Sequence, residues 1–247
     1  MAERCVRLTL GYDGTDFYGW QRQKEGPSVQ GEIERVLEKI HHHPVTLNGA
    51  GRTDTGVHAK GQVASFFTDI DSMPIERFAI ALNSLLPRSI RIYKSELAPE
   101  GFHARFSARA RSYRYFIVQE SQALPQDYRY AWVMREWPDI NALNRMASAF
   151  SGEVDFTAFC NQQDESLSRH RYVHSAHFFY EGRFLVFEIK ANAFLWRMVR
   201  SLVGSLIEFE RNGLDEDYVR MVLEKKQRSL SGATAPGTGL FLWSVDY

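Results

Sequence analysis

The chain has 247 residues, of which 44% are apolar, 13% aromatic and 24% charged; this is enough apolar material for one large or two small cores and excludes disorder as the main theme. Thirty Lys and Arg against thirty Asp and Glu leave no formal net charge, so a polyanionic partner has to be held by a local basic patch rather than by the field of the whole molecule. Two distant cysteines, Cys5 and Cys160, with no CxxC, are too few for a disulfide scaffold or a thiolate zinc site.

That cysteine usage makes a reducing cytoplasm the expected location, and the first residues, MAERCVRLTL, hold charges among apolar side chains with no run suited to a secretion signal. Val6, Leu8, Leu10 and Tyr12 alternate with polar residues and predict a half-buried strand that ends in a Gly-Asp-Gly-rich turn. After Pro27, the positions Val29, Ile33, Val36, Leu37 and Ile40 recur at helical spacing, with Ser28 available as the cap. His41, His42 and His43 at its end point in different directions on a helix, unlike a metal-binding i, i+4 pair, and read as exposed polar residues. A strand is expected over 62–68. A helix announced by Ser72 and Pro74 follows, with Ile75, Phe78, Ala79, Leu82 and Leu85 on one face and Pro87 at its end.

Ile90 and Ile92 open another strand, and Tyr113, Tyr115 and Ile117 alternate in a strand over 112–118. Residues 119–130 lack periodicity and read as a loop. A helix is expected over 139–150, then a hairpin of strands 171–179 and 184–190 around Glu181-Gly182. A long buried helix over 192–210, an exposed one over 215–226 and a closing strand over 240–245 complete the series. The most apolar stretch, 194–207, carries Arg197 and Arg200 and is too short and too charged to span a bilayer, which needs roughly 20 apolar residues. Hairpins mixed with helices of ordinary length predict an α+β protein with largely antiparallel sheet.

The densest group of special residues is GAGRTDTGVHAKGQVASF, from Gly49 to Phe66, where Asp54 lies among four glycines with Arg52, His58 and Lys60 close by in sequence. Asp54 could simply close a turn through its own side chain. Asp54-Thr55-Gly56 also matches the tripeptide of aspartic proteases, in which two carboxylates share a proton; only one copy is present here, and the flanking cations oppose the raised pKa that sharing requires. A third possibility is a noncatalytic RNA-binding module. Arg105, Arg109, Arg111 and Arg114, interleaved with Phe106 and Tyr113 and with no acid between them, form a candidate basic patch that Arg22, Lys24 and Lys60 could extend.

GRTDTGVHAKGQVASF closely resembles the catalytic signature of the tRNA pseudouridine synthase A family. YDGTDFYGWQRQ (12–23), FHARFSARARSYRY (102–115), DFTAF (155–159), KANAFLWRMVRSLVG (190–204) and TAPGTGLFL (234–242) resemble the family's other landmarks in the same order, across nearly the whole chain. The resemblance implies a two-lobed α+β pseudouridine synthase fold with a central catalytic cleft, here expected as lobes 1–101 and 102–247. It implies isomerisation of uridine in the anticodon arm of tRNA, at about positions 38 to 40, on a base that must first leave its stack. It further implies no metal or organic cofactor, no membrane, and a homodimer in which each tRNA touches both subunits. By residue, Asp54 matches the nucleophile, Arg200 the arginine that keeps it ionised, and Tyr113 the active-site tyrosine that stacks on the target base. Arg52 matches the arginine that enters the space the base vacates. His58, Lys60, Arg22, Arg105, Arg109 and Arg111 complete the expected RNA-binding set. Each has a plainer reading: a surface helix charge for Arg200, a core aromatic for Tyr113, an ion pair with Asp54 for Arg52, and solvated charge for the rest.

Overall fold

A computed structural model describes residues 4–247. It divides into two compact units, one running to Arg109 and taking in Phe241–Tyr247, the other Ala110–Leu240.

In the first unit, β1 (Arg4–Tyr12) buries Val6, Leu8 and Leu10 completely, as the alternation predicts. Helix α1 (Val29–His41) begins at Ser28, whose Oγ accepts the Gly31 amide at 3.3 Å, satisfying one of the free N–H groups of the first turn. Next come β2 (Asn48–Gly49) and β3 (His58–Thr68), which begins four residues ahead of the expected strand. Helix α2 (Arg77–Leu85) is shorter than the pattern from Ser72 suggests, and β4 (Ile90–Leu97) follows it. The sheet order is β4-β1-β3, antiparallel throughout, with β2 against β3. The closing strand Leu240–Asp246 returns to this unit and lies parallel to β3, pairing Phe241 with His58 and Leu242 with Ala59. The division read from sequence, at 101/102, thus differs from the compact units at both ends, because strand pairing at the C-terminus is a long-range contact that local pattern does not carry.

His41 departs from its sequence reading as an exposed polar residue. It is buried, with Nδ1 bonded to the Leu37 carbonyl, Nε2 to the Thr68 hydroxyl at 2.9 Å, and its ring stacked on Phe78. The last turn of α1 faces the sheet, and two partners offset the cost of burying the imidazole. His42, in the left-handed region at φ 61°, ends the helix, and both it and His43 are exposed, as the sequence reading has them.

In the second unit, β5 (Ala110–Gln119) buries Tyr113, Tyr115 and Ile117. The stretch expected as loop contains a short helix, α3 (Asp127–Tyr130), and leads to β6 (Trp132–Met134), parallel to β5. Asp127 organises it: its carboxylate accepts the Leu124 amide and a forked pair of bonds from Arg183, an arrangement without periodicity in the sequence. Helix α4 (Ile140–Ala147), capped by Asp139, is followed by β7 (Gly152–Asp155) and by the hairpin β8 (His170–Glu181) and β9 (Phe184–Ala191), which turns at Gly182. The sheet order is β5-β9-β8-β7, again antiparallel.

Helix α5 (Met198–Arg211) corrects the expectation of a helix from residue 192. Residues 192–197 take their hydrogen bonds elsewhere. Asn192 exchanges backbone and side-chain bonds with Tyr172, the Trp196 amide donates to Asp164, and Arg197 adopts φ 60°. Helix α6 (Glu216–Lys225) is capped by Asp215, which accepts two first-turn amides. The architecture is α+β, with mostly antiparallel sheet and flanking helices.

Candidate active site

The loop carrying Asp54 is clamped by its neighbour in the first unit. The Thr53 carbonyl accepts the Trp20 amide at 3.0 Å, the Phe17 carbonyl accepts the Gly56 amide, and the Tyr12 and Thr53 hydroxyls meet at 2.8 Å. Two glycines make the approach possible. A Cβ on Gly19, which is also at φ 94°, would stand 2.5 Å from the Thr53 carbonyl oxygen, and one on Gly14 would stand 2.0 Å from that of Val57. On the other side, Gln62 Nε2 donates to the Gly51 carbonyl at 2.8 Å. Asp54 is thereby held half-buried on a tight turn, with the Val57 amide donating to its carbonyl at 3.1 Å. A loop whose backbone is fixed in this way gives its carboxylate a set point of attachment, which is what nucleophilic or proton-accepting work asks of it.

The cations predicted around this loop divide. Arg52 is exposed, as are Arg105 and Arg109. Lys60 is exposed and its Nζ sits 3.9 Å from the centre of the Trp243 ring. Arg22 is exposed and bonds Glu34 at 3.2 Å. Arg105 lies over the ring of Phe106, which is 76% exposed and flanked by His103. Of the two aromatics that the sequence reading interleaves with this patch, Phe106 is exposed and Tyr113 is buried.

His58 corrects its assignment as an RNA contact. It is 0% exposed, stacked on Phe241 at 4.6 Å, and its Nδ1 accepts the Gly14 amide at 3.0 Å. That bond requires an unprotonated Nδ1, so the neighbouring Asp13 carboxylate at 3.3 Å does not form an ion pair through this nitrogen. Its place is to join the Asp13-Gly14 turn to the strands. Arg111, 9% exposed and bonded to the Asn192 carbonyl at 2.9 Å, is likewise built into the protein rather than presented to RNA. Arg114 bonds Glu188 at 2.5 Å and Glu181 at 3.0 Å, so its charge is answered across the hairpin. The basic stretch, four arginines in sequence, presents Arg105 and Arg109 at the surface.

Tyr113 and Arg200 belong to the second unit. Tyr113 is 7% exposed and meets Phe194 edge-on at 4.8 Å. Arg200, half-buried on α5, is anchored by a short strap: its Nε donates to the Ala235 carbonyl at 2.8 Å, and its own carbonyl accepts the Ala235 amide at 3.0 Å. The strap lies tight on the helix because residue 204 is glycine; a Cβ there would fall 1.9 Å from the Ala233 carbonyl oxygen. Ser205 Oγ accepts the Gly232 amide, and the Tyr115 hydroxyl donates to the Pro236 carbonyl at 2.8 Å. Burial pushes the Tyr115 hydroxyl far above its ordinary pKa against the opposing charge of Arg200, so it stays a donor. The strap residues carried no signal of this role beyond their place in a motif.

A carboxylate on a clamped loop, an anchored guanidinium on a buried helix and a buried tyrosine on a strand are the groups that the sequence motifs single out. The family model for tRNA pseudouridine synthase matches residues 10–107 and 146–247, and so covers the loop of Asp54, the helix of Arg200 and its strap.

This chain belongs to that family.

The tRNA pseudouridine synthase A of Treponema denticola is 49% identical over 99% of this chain and 93% of its own length. That of Treponema pallidum (strain Nichols) is 46% identical over 93% of this chain and 84% of its own, and that of Chlorobaculum tepidum 45% over 100% and 99%. Tyr113 falls outside the two matched segments of the family model, while the full-length relatives extend across it. Membership in an isomerase family removes the aspartic protease reading of Asp54-Thr55-Gly56. Among the described residues no helix is long and apolar enough to cross a membrane.

Proposed function

We propose that this chain converts uridine to pseudouridine in the anticodon arm of tRNA, at about positions 38 to 40, extruding the base from its stack before the chemistry begins. The observation that carries the reading is the clamped, half-buried Asp54 loop in a chain matched by the synthase family along most of its length. The reaction is an isomerisation and needs no outside reagent. The N1–C1′ bond breaks, the uracil turns, C5 bonds to C1′, and the proton lost from C5 is balanced by one gained at N1.

Asp54 acts as the nucleophile, a role suited to carboxylate because it can attack carbon, depart again and accept a proton. Arg200 keeps it ionised, as a guanidinium favours the charged form of an acid. Tyr113 holds the base, and Arg52 fills the space it leaves, where a planar cation can stack and bind phosphate together. Arg105, Arg109, Arg22 and Lys60 track the RNA backbone. The enzyme works without a cofactor, in the cytoplasm, as a homodimer whose two subunits share each tRNA.

The test is tRNA labelled with tritium at uridine C5. The wild-type protein releases the label and Asp54→Ala retains it while still binding tRNA. Equal release from both would remove Asp54 from the mechanism, and tRNA binding with no release by the wild type would make the chain a noncatalytic RNA-binding module.

A further inference from the structure

The second unit contains a cavity of about 360 Å³ built from four separate stretches of chain, lined by Asn161, Gln163, Arg197, Ser201, Arg228 and Thr234 among others, with no carboxylate in the lining. Among the described residues neither arginine forms an ion pair with an acid. Arg228 spends its donors on neutral oxygens, the Ser231 hydroxyl at 2.6 Å, the Gly232 carbonyl at 3.0 Å and the Thr234 hydroxyl at 3.1 Å. Its charge is thus held rigidly and left uncompensated. Two acids near these segments in sequence are occupied by backbone amides, Asp164 by those of Trp196 and Ser166, Glu208 by that of Ala233.

Arg197 is exposed, lies over the Trp196 ring, and holds φ 60°, a conformation that glycine or asparagine would adopt more readily. A long cation kept at a position that disfavours it suggests that the side chain is used. The walls are pinned to the start of α5 by the Asn161 amide on the Trp196 carbonyl at 3.0 Å and by Asp164 on the Trp196 amide at 2.6 Å. Thr234 and Ser201 are the immediate neighbours of Ala235 and Arg200, so whatever fills the cavity rests on the strap that anchors the candidate catalytic arginine.

We propose that this cavity is a subsite for one phosphodiester group of the RNA substrate, received by Arg197 and Arg228 and by the surrounding amide and hydroxyl donors. Two guanidinium groups, neutral donors and no acid make a surface for a tetrahedral anion, and an open polar cavity suits a charge that remains part of a chain. The inference rests on the RNA-modifying reading above, and it places one contact of the substrate beside the strap.

The probe is an unmodified tRNA transcript, with its affinity for the wild type, Arg197→Asn and Arg197→Lys measured by fluorescence anisotropy over a range of salt. Asparagine tolerates the left-handed backbone, so the charge is removed without unfolding the turn, which an unchanged melting temperature verifies. Arg197→Asn is expected to weaken binding about fivefold at moderate salt and to lower the steepness of log K against log salt by about 1, while Arg197→Lys restores most of both. In turnover the loss falls on KM more than on kcat. Superimposable salt plots for the wild type and Arg197→Asn would overturn the proposal. So would inorganic phosphate that raises the melting temperature of the wild type alone while the RNA plots coincide, since the cavity would then serve a free anion. Binding and turnover are read separately, so a wild type that binds but does not isomerise would defeat the functional reading and leave the subsite standing.

Discussion

The amide of Gly14 donates to Nδ1 of His58 at 3.0 Å, inside a site from which solvent is excluded. This bond ties the turn after β1 to the start of β3, a few residues past Asp54, and the ring's other face stacks on Phe241 of the closing strand. Replacing His58 by Ala opens a cavity and strands a buried amide. The expected loss is about 3 kcal/mol of unfolding free energy, measured by urea denaturation. Because His58 does not reach the surface, the salt dependence of tRNA binding by the folded fraction should not change.

Gly204→Ala sets two effects against each other. Alanine favours a helix over glycine by about 1 kcal/mol, but here its Cβ would overlap the Ala233 carbonyl oxygen. The collision is with backbone that cannot rotate away, so overpacking prevails, with a net loss of about 1 to 3 kcal/mol. Displacing the strap also moves Ala235 from Arg200. The variant should therefore show a lower denaturation midpoint and a lower kcat, whereas a stabilised, fully active variant would show that the strap yields.

Tyr113→Phe tests the aromatic ring separately from its hydroxyl. The ring contact with Phe194 is retained, so stability should stay within about 0.5 kcal/mol of the wild type. If the hydroxyl assists proton removal from C5, kcat should fall about tenfold to a hundredfold with little change in tRNA affinity. Single-turnover assays with labelled tRNA measure the first quantity and anisotropy the second.

Acid should weaken the second unit through Asp155. Burial would raise its pKa, but bonds from Lys226 at 2.8 Å and from the amide and hydroxyl of Thr157 outweigh it and bring the carboxyl down to about 2, from the ordinary 3.8. A group whose pKa is lowered by folding stabilises the protein above its unfolded value. That contribution is complete above about pH 4 and disappears as pH falls toward 2. Lys226 is half-exposed, so solvent screening limits the effect to about 1 kcal/mol. Asp155→Asn should flatten the pH dependence of stability across this interval, as followed by denaturation at a series of pH values.

Asp127 and Arg183 give a larger expected effect. The carboxylate is nearly buried and accepts from two nitrogens of the guanidinium, Nη2 at 2.8 Å and Nε at 3.2 Å. Arg183→Met leaves that acid without its cation and should cost about 2 to 3 kcal/mol, measured by thermal or chemical denaturation. The double variant with Asp127→Asn should recover part of the loss, because the uncompensated charge is removed as well.

The sequence by itself determined the elements whose cause is local. Alternation marked β1 and β5, the Ser28 cap marked the start of α1, apolar spacing marked α4 and α6, and Glu181-Gly182 marked the hairpin, since side-chain period and capping act within a few residues. Asp54 and Arg200 stood out as candidates because ordered motifs surround them. What the chain alone did not disclose depends on partners far away in sequence. His41 and His58 look like surface histidines until Thr68, Phe78, Gly14 and Phe241 are packed around them. Arg114 looks like an RNA-binding charge until the hairpin brings Glu181 and Glu188 beside it. Helix α5 starts at Met198 rather than Asn192 because Tyr172 and Asp164 claim the hydrogen bonds of the preceding residues. The cavity between Arg197 and Arg228 exists only where the chain folds back on itself. Exposure and ion pairing are properties of what surrounds a residue, so tertiary structure decides them, whereas backbone periodicity is already written in the order of the amino acids.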